Sequence, residues 1–285
     1  MASLSKPRPT QSRKVGAAAR SLGGSRIQGA LGMPLAEAIF ELRWQLPTTA
    51  TGAPGRDPGY DFMLGRFFDR VRSEYPELVN LPSSSEPVDR TAYVPRHQLR
   101  AAEGSWPMLQ IGPGVLTANE TRAYEWQDFG PRLDRAVTSL FDAYPESPGP
   151  LQPALLALRY VNTLRLDAEN PNLVPFLREQ LHTSLAVDPT LFDEPGEAEN
   201  PVGLSFSMTF PMRKQTGFAS VSMATGAEAG RPCLIWQLEG RALHPETPQQ
   251  PEAIRAWLEH THEHLIGWFR TLSRGELSAS FVENV

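Results

Sequence analysis

The sequence predicts an α+β protein in which helices cover one face of an antiparallel sheet. Short segments that alternate apolar and polar residues indicate half-buried strands. Longer segments with apolar residues three and four positions apart indicate amphipathic helices. One strand, a helix, three strands and a helix follow each other twice within 285 residues. This order predicts a duplicated β-α-β-β-β-α unit rather than alternating parallel βαβ units.

The first copy of the unit is predicted over residues 33–150. Its opening strand, 35–46, places Phe40 and Leu42 on one face and Glu41 and Arg43 on the other. The remaining elements are a helix over 60–75, strands over 91–99, 107–111 and 115–120, and a helix over 126–144. The two last strands are joined by Gly-Pro-Gly, which is typical of a tight turn.

The second copy is predicted over residues 151–285. Its opening strand, 155–166, alternates in the same way, with Leu158 and Tyr160 inward. The remaining elements are a helix over 173–185, strands over 202–210, 216–224 and 232–240, and a helix over 251–272. The side chains expected in the core are Phe40, Leu42, Leu158, Tyr160, Leu204, Phe206, Trp236 and Leu238.

Charge is unevenly distributed along the chain. Six of the 27 basic residues and none of the 32 acidic ones precede Glu37, so the rest of the chain has a net charge of −11. We expect residues 1–32 to form a disordered basic tail, because they are rich in Ser, Gly and Ala and lack apolar periodicity. A solubilising role, an arm for nucleic acid or an acidic partner, and a transit peptide remain open for this tail.

Composition also restricts the environment and the chemistry. No apolar run approaches the ~20 residues needed to cross a bilayer, so we expect no membrane association. The single cysteine, Cys233, cannot form an internal disulfide or a thiolate metal cage. A soluble, cytoplasmic protein in a reducing compartment is therefore predicted, with no cofactor.

Two motifs resemble a known family. Residues 34–43 read Pro-Leu-Ala-Glu-Ala-Ile-Phe-Glu-Leu-Arg, and residues 158–162 read Leu-Arg-Tyr-Val-Asn. Both resemble the most recognisable stretches of an uncharacterised bacterial family of sporadic distribution that is catalogued only by a model number. The resemblance spans residues 33 to 281. It implies no activity, ligand or catalytic residue, and its scattered distribution is like that of defence or toxin–antitoxin components.

One histidine motif indicates metal chemistry. Residues 260–264 contain H-x-x-E-H, the pattern of inverted zinc proteases. On a helix, His260 and His264 lie one turn apart and could share a metal. Glu263 and His260, however, point away from the apolar stripe, and a catalytic zinc needs a third protein ligand and a sheltered site. We keep a metal-dependent hydrolase on His260, Glu263 and His264 as an alternative, and predict no metal site.

Other catalytic and nucleic-acid signatures are weak. There is no G-x-S-x-G elbow, and the Gly-Pro-Gly turn lacks the lysine and further glycine of phosphate-binding loops. The predicted connectivity is similar to TATA-binding-protein-like saddles and to sliding-clamp halves. A saddle on nucleic acid needs a basic concave face, whereas this body is acidic. A nucleic-acid-binding saddle stays an alternative, with the basic tail as the expected means of contact.

The polar face of the sheet is the more informative feature. It is predicted to present fixed charges and small hydroxyls: Glu37, Glu41, Arg43, Arg159, Thr163, Arg165, Ser205, Ser207, Thr209, Ser220, Ser222 and Gln237. Such a face suits a protein or a small polar ligand, although polar residues on an open sheet face are commonly just solvated. We assign partner binding to Glu41, Arg43, Arg159, Thr163 and Arg165.

Asn162 is predicted to play a different part. It falls on the apolar face between Tyr160 and Leu164, and a buried amide requires hydrogen-bond partners. A structural role is therefore predicted for it. Together these patterns favour a non-catalytic binding or regulatory protein that holds a protein partner, such as an accessory of a bacterial defence or toxin–antitoxin system. The sequence does not predict its oligomeric state.

Overall fold

A computed structural model describes residues 35–87, 91–121, 124–147, 149–166, 173–192, 201–275 and 277–278. The predicted tail, 1–32, lies outside the described residues. The strands are β1 (Leu35–Trp44), β2 (Glu77–Asn80), β3 (His97–Arg100), β4 (Met108–Gly112), β5 (Val115–Glu120), β6 (Pro153–Arg165), β7 (Ser205–Pro211), β8 (Phe218–Glu228) and β9 (Arg231–Leu243). The α-helices are α1 (Tyr60–Val71), α2 (Trp126–Ala143), α3 (Leu173–Gln180) and α4 (Pro251–Leu272).

All nine of these strands belong to one antiparallel sheet. Its order is β2-β3-β4-β5-β1-β6-β9-β8-β7. The first strand of each half therefore lies at the centre, and β1 pairs with β6 in the register Phe40↔Leu158. This pairing joins the two predicted halves by backbone hydrogen bonds, so both halves contribute to the same sheet.

The core lies between one face of this sheet and the helices. Alternation along β1 and β6 directs Phe40, Leu42, Leu158 and Tyr160 to this face, where all four side chains are buried. The inward residues of the helices are buried in the same cluster, because each helix presents one apolar stripe. This face is called the helix face below. Among the helices that the structure describes, none is long and apolar enough to cross a membrane.

The structure differs from the sequence prediction mainly at the edges of the sheet. An additional strand, β2, pairs with β3 where a loop was expected, so the first half has one strand more than the predicted unit. It is four residues long, too short for alternation to be recognised. At the other edge, Leu204 and Phe206 are only partly buried, because β7 has no neighbouring strand on its outer side within the described chain.

Candidate functional site

The face of the sheet opposite the helices carries charged and polar side chains along three adjacent strands, β1, β6 and β9. We call this surface the open face. It is defined by Glu37, Ile39, Glu41 and Arg43 of β1, by Arg159, Val161, Thr163 and Arg165 of β6, and by Gln237, Glu239 and Arg241 of β9. Alternation places these residues here, since each is one position away from a buried core residue.

Glu239 organises the centre of the open face. Arg159 lies beside it across the β6–β9 pair, and its Nη2 and Nε are both 2.6 Å from Glu239 Oε2. Arg241, two residues along β9, approaches the other carboxylate oxygen, with Nη2 2.5 Å from Oε1. The Glu239 side chain is only 6% exposed, whereas Arg241 is 43% exposed. One carboxylate thus holds two arginines in fixed positions.

A second charged group lies on β1. Arg43 donates from Nε to Oε1 of Glu41, and its guanidinium lies over the ring of Tyr93, 5.3 Å from the ring centroid. Nearby, the amide nitrogen Nδ2 of Asn119 donates to Glu37 Oε1 at 2.7 Å. These contacts restrict the side chains on an already ordered strand, so little further rotamer freedom is lost when a partner binds.

Arg165 and Thr163 lie toward the C-terminal end of β6. Arg165 is exposed, and no ion pair or hydrogen bond of its side chain occurs within the described chain. Thr163 is half-buried opposite Ile235 of β9, which is itself 36% exposed. This end of the open face therefore combines partly apolar surroundings with a cation that has no ion-pair partner in the described part of the chain.

The predicted site residues share this face, and Glu41 and Arg159 do not pair with each other across β1 and β6. Glu41 lies opposite Ala157, and Arg159 lies opposite Ile39, so Glu41 and Arg159 are not direct cross-strand neighbours. Each instead finds another partner. Sequence reasoning missed Arg241, because the last strand was predicted to end at Gly240, and it missed Glu239 although that residue lies within the predicted strand. Period-two alternation from Gln237 onward was the signal that would have found them.

Asn162 lies in the core. Its side chain is fully buried, and Nδ2 donates to the backbone oxygen of Trp236 at 3.2 Å. It also lies opposite the β-bulge of β1, where the register shifts between Leu35 and Glu37. Its Oδ1 has no hydrogen-bond partner among the residues that the structure describes. These contacts are intramolecular and do not reach the open face.

The histidines of α4 do not converge on a metal site. His260 is exposed, and its Nδ1 lies 2.7 Å from the backbone oxygen of Ala256, one turn earlier. His264 packs against Trp268, with ring centroids 5.0 Å apart. Within the described ranges, no group of three or more His, Cys, Asp or Glu residues is arranged to hold a metal ion.

The middle histidine, His262, is partly buried and belongs instead to a chain of hydrogen bonds with two buried tyrosines. Its Nδ1 lies 2.7 Å from the hydroxyl of Tyr160, which lies 2.7 Å from the hydroxyl of Tyr124. The ring of Trp126 stacks on His262 at 4.1 Å. Burial, helped by the positive charge of Arg270, lowers the pKa of His262 to about 4. The imidazole is therefore neutral at pH 7 and links α4 to β6.

Comparisons with known proteins leave the family unassigned. No family model matches the sequence, and no curated protein matches it. A crystal structure of the di-domain ARO/CYC StfQ from the steffimycin biosynthetic pathway matches with 10% identity and a TM-score of 0.18. The match covers 66% of this chain and 74% of that chain, and at this TM-score it supports no conclusion about fold or function. The family resemblance of the two motifs stays a prediction.

Proposed function

We propose that this chain is a non-catalytic binding protein whose open face holds a protein partner. The observation that carries the proposal is the ion-paired group of Arg159, Glu239 and Arg241 on a sheet face that lies opposite the helices. Charges held in this way are already ordered in the free protein. A partner then gains electrostatic contacts at a low entropic cost, and the pattern of signs selects among partners.

The charges of the open face favour a partner with an acidic group. The residues that define this face include four arginines and three glutamates, although the chain beyond the tail has a net charge of −11. Glu41 and Glu239 are already occupied by arginines. Arg165 is the arginine left for a partner, and Thr163 and Ile235 beside it supply a hydroxyl and an apolar contact.

The alternatives receive less support. A hydrolase on His260, Glu263 and His264 lacks a third ligand within the described chain and would be exposed to water. A nucleic-acid saddle requires a run of arginines free to neutralise phosphates, whereas Arg43, Arg159 and Arg241 are already paired with glutamates. The histidines of α4 and the paired arginines of the open face therefore give less support to hydrolysis or nucleic-acid binding than to protein binding.

We also propose that the two halves arose by duplication of one unit, as in saddle-shaped and clamp-like proteins. In support, the sheet runs outward from β1 as β5, β4, β3 and from β6 as β9, β8, β7, so the connectivity of one half mirrors that of the other. The place of the protein as an accessory of a defence or toxin–antitoxin system rests on the family resemblance alone. The genes beside this one provide its test.

Affinity capture from the source cells tests the binding face. The tagged wild-type protein should retain a specific partner, and a variant carrying both Arg159→Ala and Arg165→Ala should lose it. The variant should stay folded, because Arg241 still neutralises the buried Glu239. Circular dichroism and thermal melting check the fold.

The outcomes of this experiment are distinct. Partner retention by the folded double variant would overturn the assignment of the open face. Unfolding of the double variant would show a structural role for Arg159, which pairs with Glu239. In that case Arg165→Ala alone, which removes no ion pair or hydrogen bond within the described chain, shows whether Arg165 contributes to partner binding.

A further inference from the structure

We propose that two copies of this chain associate through β7, pairing their edge strands antiparallel about a two-fold axis at Met208. The resulting dimer would have one continuous sheet, with the helices of both copies on the same side. This inference concerns assembly and is independent of partner binding at the open face.

The first observation is that β7 is an edge strand of the sheet in the part of the chain that the structure describes. It is the last strand of the sheet, and no described strand pairs with its outer side. Exposed edges usually carry charges, bulges or very short strands that prevent association. The opposite edge, β2, follows this rule with four residues that include Glu77. In contrast, β7 has seven residues, and residues 201–212 contain no charge.

The second observation is that the sequence of β7 is close to a palindrome. It reads Ser-Phe-Ser-Met-Thr-Phe-Pro, centred on Met208. In an antiparallel pair about that centre, Phe206 would lie opposite Phe210 of the second copy, and Ser207 opposite Thr209. Aromatic pairs and hydroxyl pairs are among the cross-strand neighbours that stabilise sheets. A two-fold interface requires a self-complementary surface of this kind.

The third observation is that the backbone of β7 directs the hydrogen-bonding groups of the required residues outward. Leu204 and Met212, which flank the strand, both direct backbone hydrogen bonds toward β8, through Thr225 and Gly217. In an antiparallel strand, successive residues direct their backbone N–H and C=O groups to opposite sides. The even-numbered residues of β7 therefore direct these groups toward β8, and Ser207 and Thr209 direct theirs outward. These are the residues that the proposed register brings opposite each other. Pro211 has no backbone N–H, but it lies at the end of the paired segment, and its carbonyl oxygen can still accept a hydrogen bond from the second copy.

The fourth observation is exposed apolar surface at the same edge. Met208 is 40% exposed and Phe210 is 45% exposed on the helix face, although their neighbours on β8 are buried. Phe210 contacts Trp268 of α4 edge to face, with centroids 5.8 Å apart. Phe206 of the second copy would extend this aromatic contact. Pairing would thus cover apolar side chains that water now reaches.

Sedimentation of the full-length protein, with charge reversal at the axis, tests the proposal. The wild-type protein should sediment as a dimer, whereas Met208→Lys and Met208→Glu should each raise the dimer dissociation constant by at least about tenfold, because like charges meet at the axis. An equimolar mixture of the two variants should form a heterodimer. Val79→Lys, at an exposed apolar position of β2, is the matched control and should stay dimeric.

A cross-linking experiment checks the register. Directly opposed residues that share no hydrogen bond have Cα atoms about 4.5 Å apart, within the range of a disulfide. Under oxidation, Met208→Cys should form a covalent dimer, while Phe62→Cys, at a 67% exposed position of α1, should not. Cys233 is buried and should stay unreacted.

Several outcomes would overturn the proposal. A monomeric wild-type protein at about 100 μM would do so, and would leave the β7 edge to a strand of another protein. A dimer that both Met208 variants leave unchanged would also do so, because its interface would lie elsewhere.

Discussion

The carboxylate of Asp57 connects four separate parts of the first half of the chain. It is 1% exposed and accepts hydrogen bonds from Trp44 Nε1 (2.8 Å), Gly59 N (2.9 Å), Gly114 N (3.0 Å) and the Tyr144 hydroxyl (2.8 Å). A buried charge is tolerated only when it is satisfied in this way. The loop before α1 is thereby fixed to β1, to the β4–β5 turn and to the end of α2.

Replacing this carboxylate should be severely destabilising. Asp57→Ala leaves several buried donors without a partner, and we expect the free energy of unfolding to fall by about 3 kcal/mol or more. Urea denaturation measures the loss. Asp61→Ala is the matched control, because Asp61 forms an exposed ion pair with Arg56 that contributes about 0–1 kcal/mol. Equal losses in the two variants would contradict this role for Asp57.

His262 should make stability depend on pH. Its pKa is about 4 in the folded protein against an ordinary value of 6.5, so the unfolded chain takes up the proton first as the pH falls. The stability gained by keeping this ring neutral is fully present above pH 6.5 and is lost between pH 6.5 and 4. His262→Gln cannot titrate, and its Tm should therefore fall less over that range.

His260→Gln supplies the control for this measurement. His260 is exposed on the same helix, so this variant should show the same fall in Tm as the wild-type protein. Parallel curves of Tm against pH for the wild-type protein and His262→Gln would contradict the link between the partly buried ring and stability.

The packing of α4 on β9 depends on a glycine. A Cβ added at Gly240 would lie 2.2 Å from Cγ2 of Thr261, a fully buried residue whose Oγ1 accepts a hydrogen bond from Gln215. Thr261 is β-branched and has few alternative rotamers in a helix. The helix therefore approaches the strand closely because residue 240 has no side chain.

Gly240→Ala should push α4 away from the sheet. We expect it to reduce the free energy of unfolding by about 1–3 kcal/mol through overpacking. Gly267→Ala, in the same helix with nothing within 4 Å of its added Cβ, should instead stabilise the protein by up to about 1 kcal/mol. Chemical denaturation of both variants checks the pair. Stabilisation by Gly240→Ala would contradict the close approach.

The alternation of residues predicted the strands well where one face is buried and the other polar. The strand 115–120 has the predicted limits, the helix over 251–272 does also, and six of the eight expected core residues are buried. The order of strands in the sheet could not be predicted, because register depends on contacts between distant segments. The same limit applies to His262, whose partner Tyr160 is 102 residues away, while helical spacing indicated only His260 and His264.

The nine-stranded sheet and its continuous core predict that the halves unfold together. β1 pairs with β6 along its whole length, from Leu35 to Trp44. In an isolated half, the first strand would therefore be paired on one side only. Calorimetry should show one transition, with equal calorimetric and van't Hoff enthalpies. Asp57→Ala and Gly240→Ala lie in different halves, and each should shift that whole transition. Two transitions, of which only one responds to each variant, would contradict this unity.

The affinity of the captured partner for the purified protein tests the binding proposal most directly. Arg165→Glu reverses the exposed charge without breaking an ion pair or hydrogen bond within the described chain, and Arg66→Glu makes the same change on α1, on the opposite side of the sheet. Isothermal titration should give a Kd for Arg165→Glu at least about tenfold above the wild-type value, a loss of about 1.4 kcal/mol. Arg66→Glu should bind like the wild-type protein. Equal Kd values for Arg165→Glu and the wild-type protein would contradict the assignment of the open face.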